Sequence, residues 1–165
     1  MKYRVFLIPF PIYELCLLKI RTNGVKMANK TTIALTREQY TKIINTMRSG
    51  GEHFRPNDRI ATALVLEANL GMRIEDILRL RLRDIIRDGD RYRLNIEEQK
   101  TGKKRTFTVP LPIYNYLRVY AMDNDIPATA ELFPVTERAV QKHLQQVCRH
   151  LGYENIGTHS LLIYT

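Results

Sequence analysis

The stretch that constrains this chain most is residues 63–84, ALVLEANLGMRIEDILRLRLRD. Ala63, Leu64, Leu66, Ala68 and Leu70 make an apolar run suited to a buried helix. Gly71 ends the run, as glycine does where a helix closes in a left-handed turn. Ile74, Ile77, Leu78 and Leu80 then recur at helical spacing, so a second helix leaves the turn with its apolar face inward. Asp76 falls in the first turn of that helix, where a carboxylate meets the positive end of the helix dipole. Arg73 is left on the bend between two packed helices. A guanidinium held there suits a phosphate, because its planar fork of donors matches two phosphate oxygens at once. The bland alternative is a solvated surface charge, the ordinary fate of an arginine at a helix start.

Charge favours the phosphate. The formal charge is +9 over 165 residues, in a chain otherwise ordinary at 44% apolar and 26% charged. That excess points to a polyanionic partner, nucleic acid first and an anionic membrane surface second. Cys16 and Cys148 lie far apart and form no ligand or disulfide pattern, which fits a reducing cytoplasm. The four histidines show no metal-ligand spacing, so no structural metal is expected.

Residues 1–26 differ from the rest. Lys2 and Arg4 followed by VFLIPFPIY imitate the start of a secretory signal, but Pro9, Pro11 and Glu14 interrupt the run and no small-residue cleavage site follows. The segment is also too short and too broken to span a bilayer. Residues 1–30 are therefore read as an N-terminal extension and residues 31–165 as one domain.

From Thr36 the pattern becomes regular. Thr36 and Gln39 form a capping box ahead of a helix through Tyr40, Ile43, Ile44 and Met47, which stops at Ser49-Gly50-Gly51. Asn57 or Asp58 caps the helix that reaches Leu70. After residue 84 the period switches to two: Ile85-Ile86, a turn at Asp88-Gly89-Asp90, then Tyr92, Leu94 and Ile96, and finally Phe107 and Val109. This predicts three short antiparallel strands, with a second turn at Thr101-Gly102. A helix over 112–122 follows, then one capped by Thr136 that carries Val140, Leu144, Val147 and Leu151 and closes at Gly152. Residues 153–165 are too few for another packed element. The expected fold is α+β: mainly α, with a small three-stranded antiparallel β-sheet.

The second turn lies in IEEQKTGKKRTFTVPL, where Lys100 opens a bend and Lys103, Lys104 and Arg105 follow it. Such a basic finger can reach sugar–phosphate oxygens in a DNA groove; charged, solvated hairpin tips are also common. Near the end stands Gly157-Thr158-His159-Ser160-Leu161.

Together these three strings resemble the catalytic domain of the tyrosine recombinase (phage integrase) family, over roughly residues 33–161. GMRIEDILRLRLRDI is similar to the family's Gly-Leu-Arg-(Ile/Val)-Ser-Glu-Leu box, matching at Gly71, Arg73, the acidic Asp76, the leucines and Asp84. The resemblance implies the fold of DNA breaking–rejoining enzymes and assigns roles. Arg73 and His159 would contact the scissile phosphate, with Asp76 in support. Lys100 would be the general acid that protonates the leaving 5′-hydroxyl, a task that suits an ammonium crowded among other cations. Lys103, Lys104 and Arg105 would bind DNA.

The match breaks at one position. The family's box runs Thr-(Pro/His)-His-x-Leu-Arg, and here Leu162 occupies the place of the second arginine. The family's nucleophilic tyrosine lies well downstream of that box and is absent from these residues. Tyr164, five residues after His159, is too near to attack a phosphate already held by that histidine and Arg73. The resemblance therefore implies a C-terminally truncated recombinase that binds DNA without turnover, since removing one preorganised donor alone costs on the order of 10²–10³ in rate. The expected partners are double-stranded DNA and other recombinase protomers, with no cofactor, no metal, no membrane and no small-molecule substrate. A non-catalytic protein occupying recombination sites is the alternative. A helix-turn-helix regulator would leave the hairpin and the Thr-His-Ser-Leu string unexplained.

Overall fold

A computed structural model describes residues 35–162, and the extension expected over residues 1–30 lies outside them. Helix α1 (Arg37–Ser49) begins at a full capping box: Thr36 Oγ1 accepts from the Gln39 amide at 3.2 Å and Gln39 Oε1 accepts from the Thr36 amide at 2.9 Å. Its inward stripe is Tyr40, Ile43, Ile44 and Met47, as the spacing predicts. Helix α2 (Asp58–Leu70) is capped by Asn57, whose Oδ1 accepts from the Ile60 amide at 3.0 Å. Asp58 instead pairs with Arg48 at 2.9 Å.

Every residue from Ile60 to Ala68 is buried, polar Thr62 and Glu67 included, so α2 must be surrounded on all sides. It is the central post of the domain. Helices α1, α3 (Ile74–Leu78) and α6 (Thr158–Leu162) pack on it, together with strand β3 (Lys104–Val109). Strands β1 (Ile85–Asp88), β2 (Arg91–Glu97) and β3 form one antiparallel sheet in the order β1-β2-β3. Leu94 pairs with Ile85 on one side and Phe107 on the other, which sets the register and turns the apolar set inward. Helix α4 (Leu111–Asp123) lies against β2, where Tyr114 stacks on Tyr92 with ring centroids 3.8 Å apart. Helix α5 (Glu137–His150), capped by Thr136, packs on α1 and α3. The expected α+β architecture is what the chain adopts.

Two expectations need correction. The apolar spacing through Leu80 predicted a longer helix after Gly71, but α3 is one turn and stops at Leu78. Leu80 is still buried, in extended chain. Its carbonyl accepts from the Leu132 amide at 2.9 Å, Arg81 bridges to Glu131, and the Arg83 amide bonds the Ala128 carbonyl. Pairing with the 128–132 loop replaces the helical hydrogen bonds, and propensity yields to it. The second correction concerns residues 153–165, where a packed element does form. In α6, Leu161 and Ser160 are fully buried and Thr158 nearly so.

One polar knot ties three helices. Tyr116 of α4 accepts from Arg48 Nη2 of α1 at 2.6 Å and shares a hydrogen bond with Thr62 Oγ1 of α2 at 3.0 Å. Tyr116→Phe keeps the ring and strands two part-buried partners, so it is expected to cost about 1–2 kcal/mol. Urea unfolding would register this as a lower midpoint with an unchanged slope.

Candidate active site

The site begins at the bend. Gly71 has φ +65°, the left-handed region, and its amide donates to the Glu67 carbonyl at 3.0 Å. This closes α2, and two residues later Arg73 is the N-cap of α3 with extended dihedrals. Its side chain makes no capping bond, which leaves the guanidinium to other partners.

That partner is Glu98. Arg73 Nη1 donates to Glu98 Oε2 at 2.8 Å, and Arg105 forms an ion pair with the same carboxylate, Nη1 to Oε1 at 2.9 Å. Thr101 Oγ1 also donates to Oε2, at 2.7 Å. The Glu98 side chain is only 5% exposed, against 38% for Arg73 and 56% for Arg105. The Thr101 hydroxyl, with the two arginines behind it, holds the Glu98 carboxyl below the usual carboxylate range, against the opposing effect of burial. A buried carboxylate with charge-assisted partners on both oxygens fixes what it holds.

A second tie runs parallel. Asp76, nearly buried on α3, accepts from the Gln99 amide through Oδ1 at 3.2 Å. The bend bearing Arg73 and the turn between β2 and β3 are thus joined at Glu98 and Gln99. Lys100 is the next residue, one Cα step of ~3.8 Å beyond that anchor. The turn itself is tight: the Glu98 amide bonds the Lys103 carbonyl at 2.9 Å and the Gly102 amide bonds the Glu98 carbonyl at 2.8 Å. Lys100 is exposed and its ammonium makes no ion pair or hydrogen bond among the described residues.

The basic run after the turn splits between the two faces of the sheet. Arg105 pairs across β2 with Ile96 and shares the inner face, whereas Lys104 pairs with Glu97 on the outer face. Lys103 is exposed at the end of the turn. His159 stands apart from this knot, exposed on α6 between buried Thr158 and buried Ser160. Ser160 Oγ accepts from the Gly157 amide at 3.1 Å and closes the start of that helix. Since α3 and α6 both pack on α2, one post carries Arg73 and His159. The structure brings Arg73, Asp76, Arg105 and the Lys100 turn together, and places His159 on a neighbouring element.

Sequence reasoning missed Glu98, although a signal was there. Leu94, Ile96 and Glu98 share one strand phase, so a carboxylate follows two apolar residues onto the inner face. Arg105, Phe107 and Val109 do the same on the facing strand. An acid forced inward needs a cation beside it.

These features define a helical domain in which an arginine on a helix bend is tied to a basic hairpin. The sequence profile of the Phage integrase family matches residues 34–161, and the chain belongs to that family. Two solved structures share the fold. One is XerH site-specific recombinase bound to difH substrate in a pre-cleavage complex, with a TM-score of 0.55 and 17% identity over 79% of this chain and 40% of that one. The other is XerH bound to palindromic difH substrate in a post-cleavage complex, with a TM-score of 0.55 and 15% identity over 78% of this chain and 39% of that one. The chain thus spans about two-fifths of the length of the recombinases it resembles. No curated protein sequence matches it. Among the described residues, no helix is long and apolar enough to cross a membrane.

Proposed function

We propose that residues 31–165 are the catalytic-type domain of a site-specific tyrosine recombinase and that this chain binds double-stranded DNA through its phosphates. The observation that carries this reading is the double tie, Arg73 to Glu98 and Asp76 to Gln99, which seats an arginine beside the Lys100 turn. In the family reaction a tyrosine oxygen attacks the phosphodiester, a 3′-phosphotyrosine forms and the 5′-oxygen leaves. Arg73 and His159 would stabilise charge on the phosphoryl oxygens, and Lys100 would give its proton to the departing 5′-oxygen. Asp76 would hold the lysine turn in place, while Lys103, Lys104 and Arg105 would bind DNA. Other recombinase protomers are the further partners this reading brings.

Leu162 in place of a second arginine supports the narrower reading that this polypeptide holds DNA without cutting it. A role in occupying recombination sites, without turnover, rests on the same residue.

Two measurements test the proposal. Affinity for a duplex is expected to fall steeply and linearly in log–log form as salt rises, with a slope of about −0.9 per phosphate neutralised. A flat response would remove DNA as the partner. On a duplex nicked beside the cleavage point, so that a cut strand cannot be rejoined, no covalent protein–DNA adduct is expected. Appearance of an adduct would show that a tyrosine within these residues attacks, and would overturn the narrower reading.

A further inference from the structure

Two guanidiniums meet on one buried carboxylate, Arg73 from the helix bend and Arg105 from the strand that follows the lysine turn. We infer that Arg105 is a second phosphate-binding arginine, paired with Arg73 on a single DNA phosphate, and that Glu98 is the positioning residue of the pair. The inference rests on the DNA-binding reading above and sharpens it.

Geometry supports the pairing. Arg73 and Arg105 each place Nη1 on a different oxygen of Glu98, at 2.8 and 2.9 Å. Two bond lengths and the width of one carboxylate keep those nitrogens within about 8 Å of each other, a span two oxygens of one phosphate can also bridge. Each guanidinium has five N–H donors, so each keeps at least four beyond its contact with Glu98. Both side chains are more than a third exposed, which leaves those donors open to a ligand from solvent. Charge points the same way: two cations against one buried anion leave one net positive charge at the knot.

A contrary role for Glu98 is conceivable on charge alone. An internal anion could quench both arginines and compete with DNA. Burial decides against this, because the carboxylate is 5% exposed and also bonded to Thr101. A group so fixed cannot swing out when DNA arrives, and it serves as a floor under the two arginines. The strand phase explains why Arg105, and not its neighbour, has this role. Arg105 faces inward opposite Ile96, while Lys104 faces outward opposite Glu97.

The test uses the full chain and a short duplex of arbitrary sequence, titrated by fluorescence anisotropy over a salt series. The variants are Arg73→Gln, Arg105→Gln, their double, Lys104→Gln, the Arg73→Gln/Lys104→Gln double, and Glu98→Gln. Each single arginine change is expected to weaken binding roughly tenfold, the scale of one charge-assisted hydrogen bond. The arginine double should fall well short of the hundredfold product, because both side chains serve one phosphate. Its salt slope should drop by about 0.9, not by about 1.8. The double with Lys104→Gln should instead be multiplicative. Glu98→Gln raises the net charge by one yet is expected to weaken binding, since the amide nitrogen that replaces one carboxylate oxygen is a donor and turns a repelling group toward one of the arginines.

A multiplicative arginine pair with a slope loss near 1.8 would overturn the shared phosphate. Tighter binding by Glu98→Gln would overturn its positioning role. Should Glu98→Gln fail to fold, the arginine cycle still decides the shared phosphate, and Glu98→Asp, which keeps both acceptors, tests the carboxylate by retaining affinity. In all of these outcomes the unmodified chain binds DNA in a salt-dependent way. Its failure to do so would sink the broader reading as well, which distinguishes the two.

Discussion

Glu67→Gln is expected to stabilise the protein, by about 5 kcal/mol above pH 8 and by almost nothing near pH 4. Glu67 is fully buried in α2, and neither carboxyl oxygen has a hydrogen-bond partner among the described residues. Burial, reinforced by the charge of Glu137 at the start of α5, pushes its carboxyl up to about 8. The Ile74 amide pulls the other way, from outside hydrogen-bond geometry.

The sign follows from proton counting. The unfolded chain loses this proton near the ordinary glutamate value of 4.5, whereas the folded chain keeps it until about 8. Between those values the folded state binds more protons, so each pH unit removes about 1.36 kcal/mol of stability. The loss is complete once the folded carboxyl itself ionises. Glutamine has the same shape without the titration, so it avoids the loss. Glu98, held below the usual carboxylate range, acts oppositely: its contribution is present above the unfolded pKa and disappears as pH falls. Subtracting wild-type from variant stability at each pH therefore isolates Glu67. Thermal melts at pH 4, 6 and 8.5 supply the curve, and the variant should melt higher by roughly 10 °C or more at the top of the range. A pH-independent difference would show that Glu67 is not protonated in the fold.

Glu67 and Glu98 also show what could be read from the sequence and what could not. Local rules worked where a feature depends on a few adjacent residues. Thr36 with Gln39, Asn57, Thr136 and the Gly71 bend all form as their chemistry predicts. Strand alternation placed the sheet and its two turns correctly. Features decided by distant partners were not legible. Helix α3 is cut short by pairing with a loop more than forty residues away, which no propensity encodes. The Arg73 bend was legible as a cationic site, but its bridge to Arg105 through Glu98 was hidden in a run read as a uniform basic finger. A run of like charges on a strand belongs to two faces. Only the phase of the neighbouring apolar residues tells which charge goes where.

Helix α6 is the sharpest of these failures, and Leu161→Ala is expected to expose why, at a cost of about 2–5 kcal/mol. An isolated five-residue helix is unstable in water, because nucleation fixes several dihedrals for a single hydrogen bond. Composition alone therefore counsels against a packed element in residues 153–165. What compensates is burial: Leu161 and Ser160 are fully enclosed, and α6 lies on the central α2. The side chain of Leu161 thus acts as the anchor for a segment with little stability of its own. Truncating it to alanine leaves a cavity at a wholly buried position and loosens the turn closed by Ser160 and Gly157. A frayed tail would show the opposite, a loss within about 0.5 kcal/mol, as surface substitutions do. The same variant carries a second consequence, since His159 is held outward only by the helix that Leu161 anchors. Under the DNA-binding reading, duplex affinity should fall in Leu161→Ala even where the protein stays folded, and His159→Gln made on top of it should add little. Full additivity of those two changes would mean that α6 does not present the histidine to the phosphate.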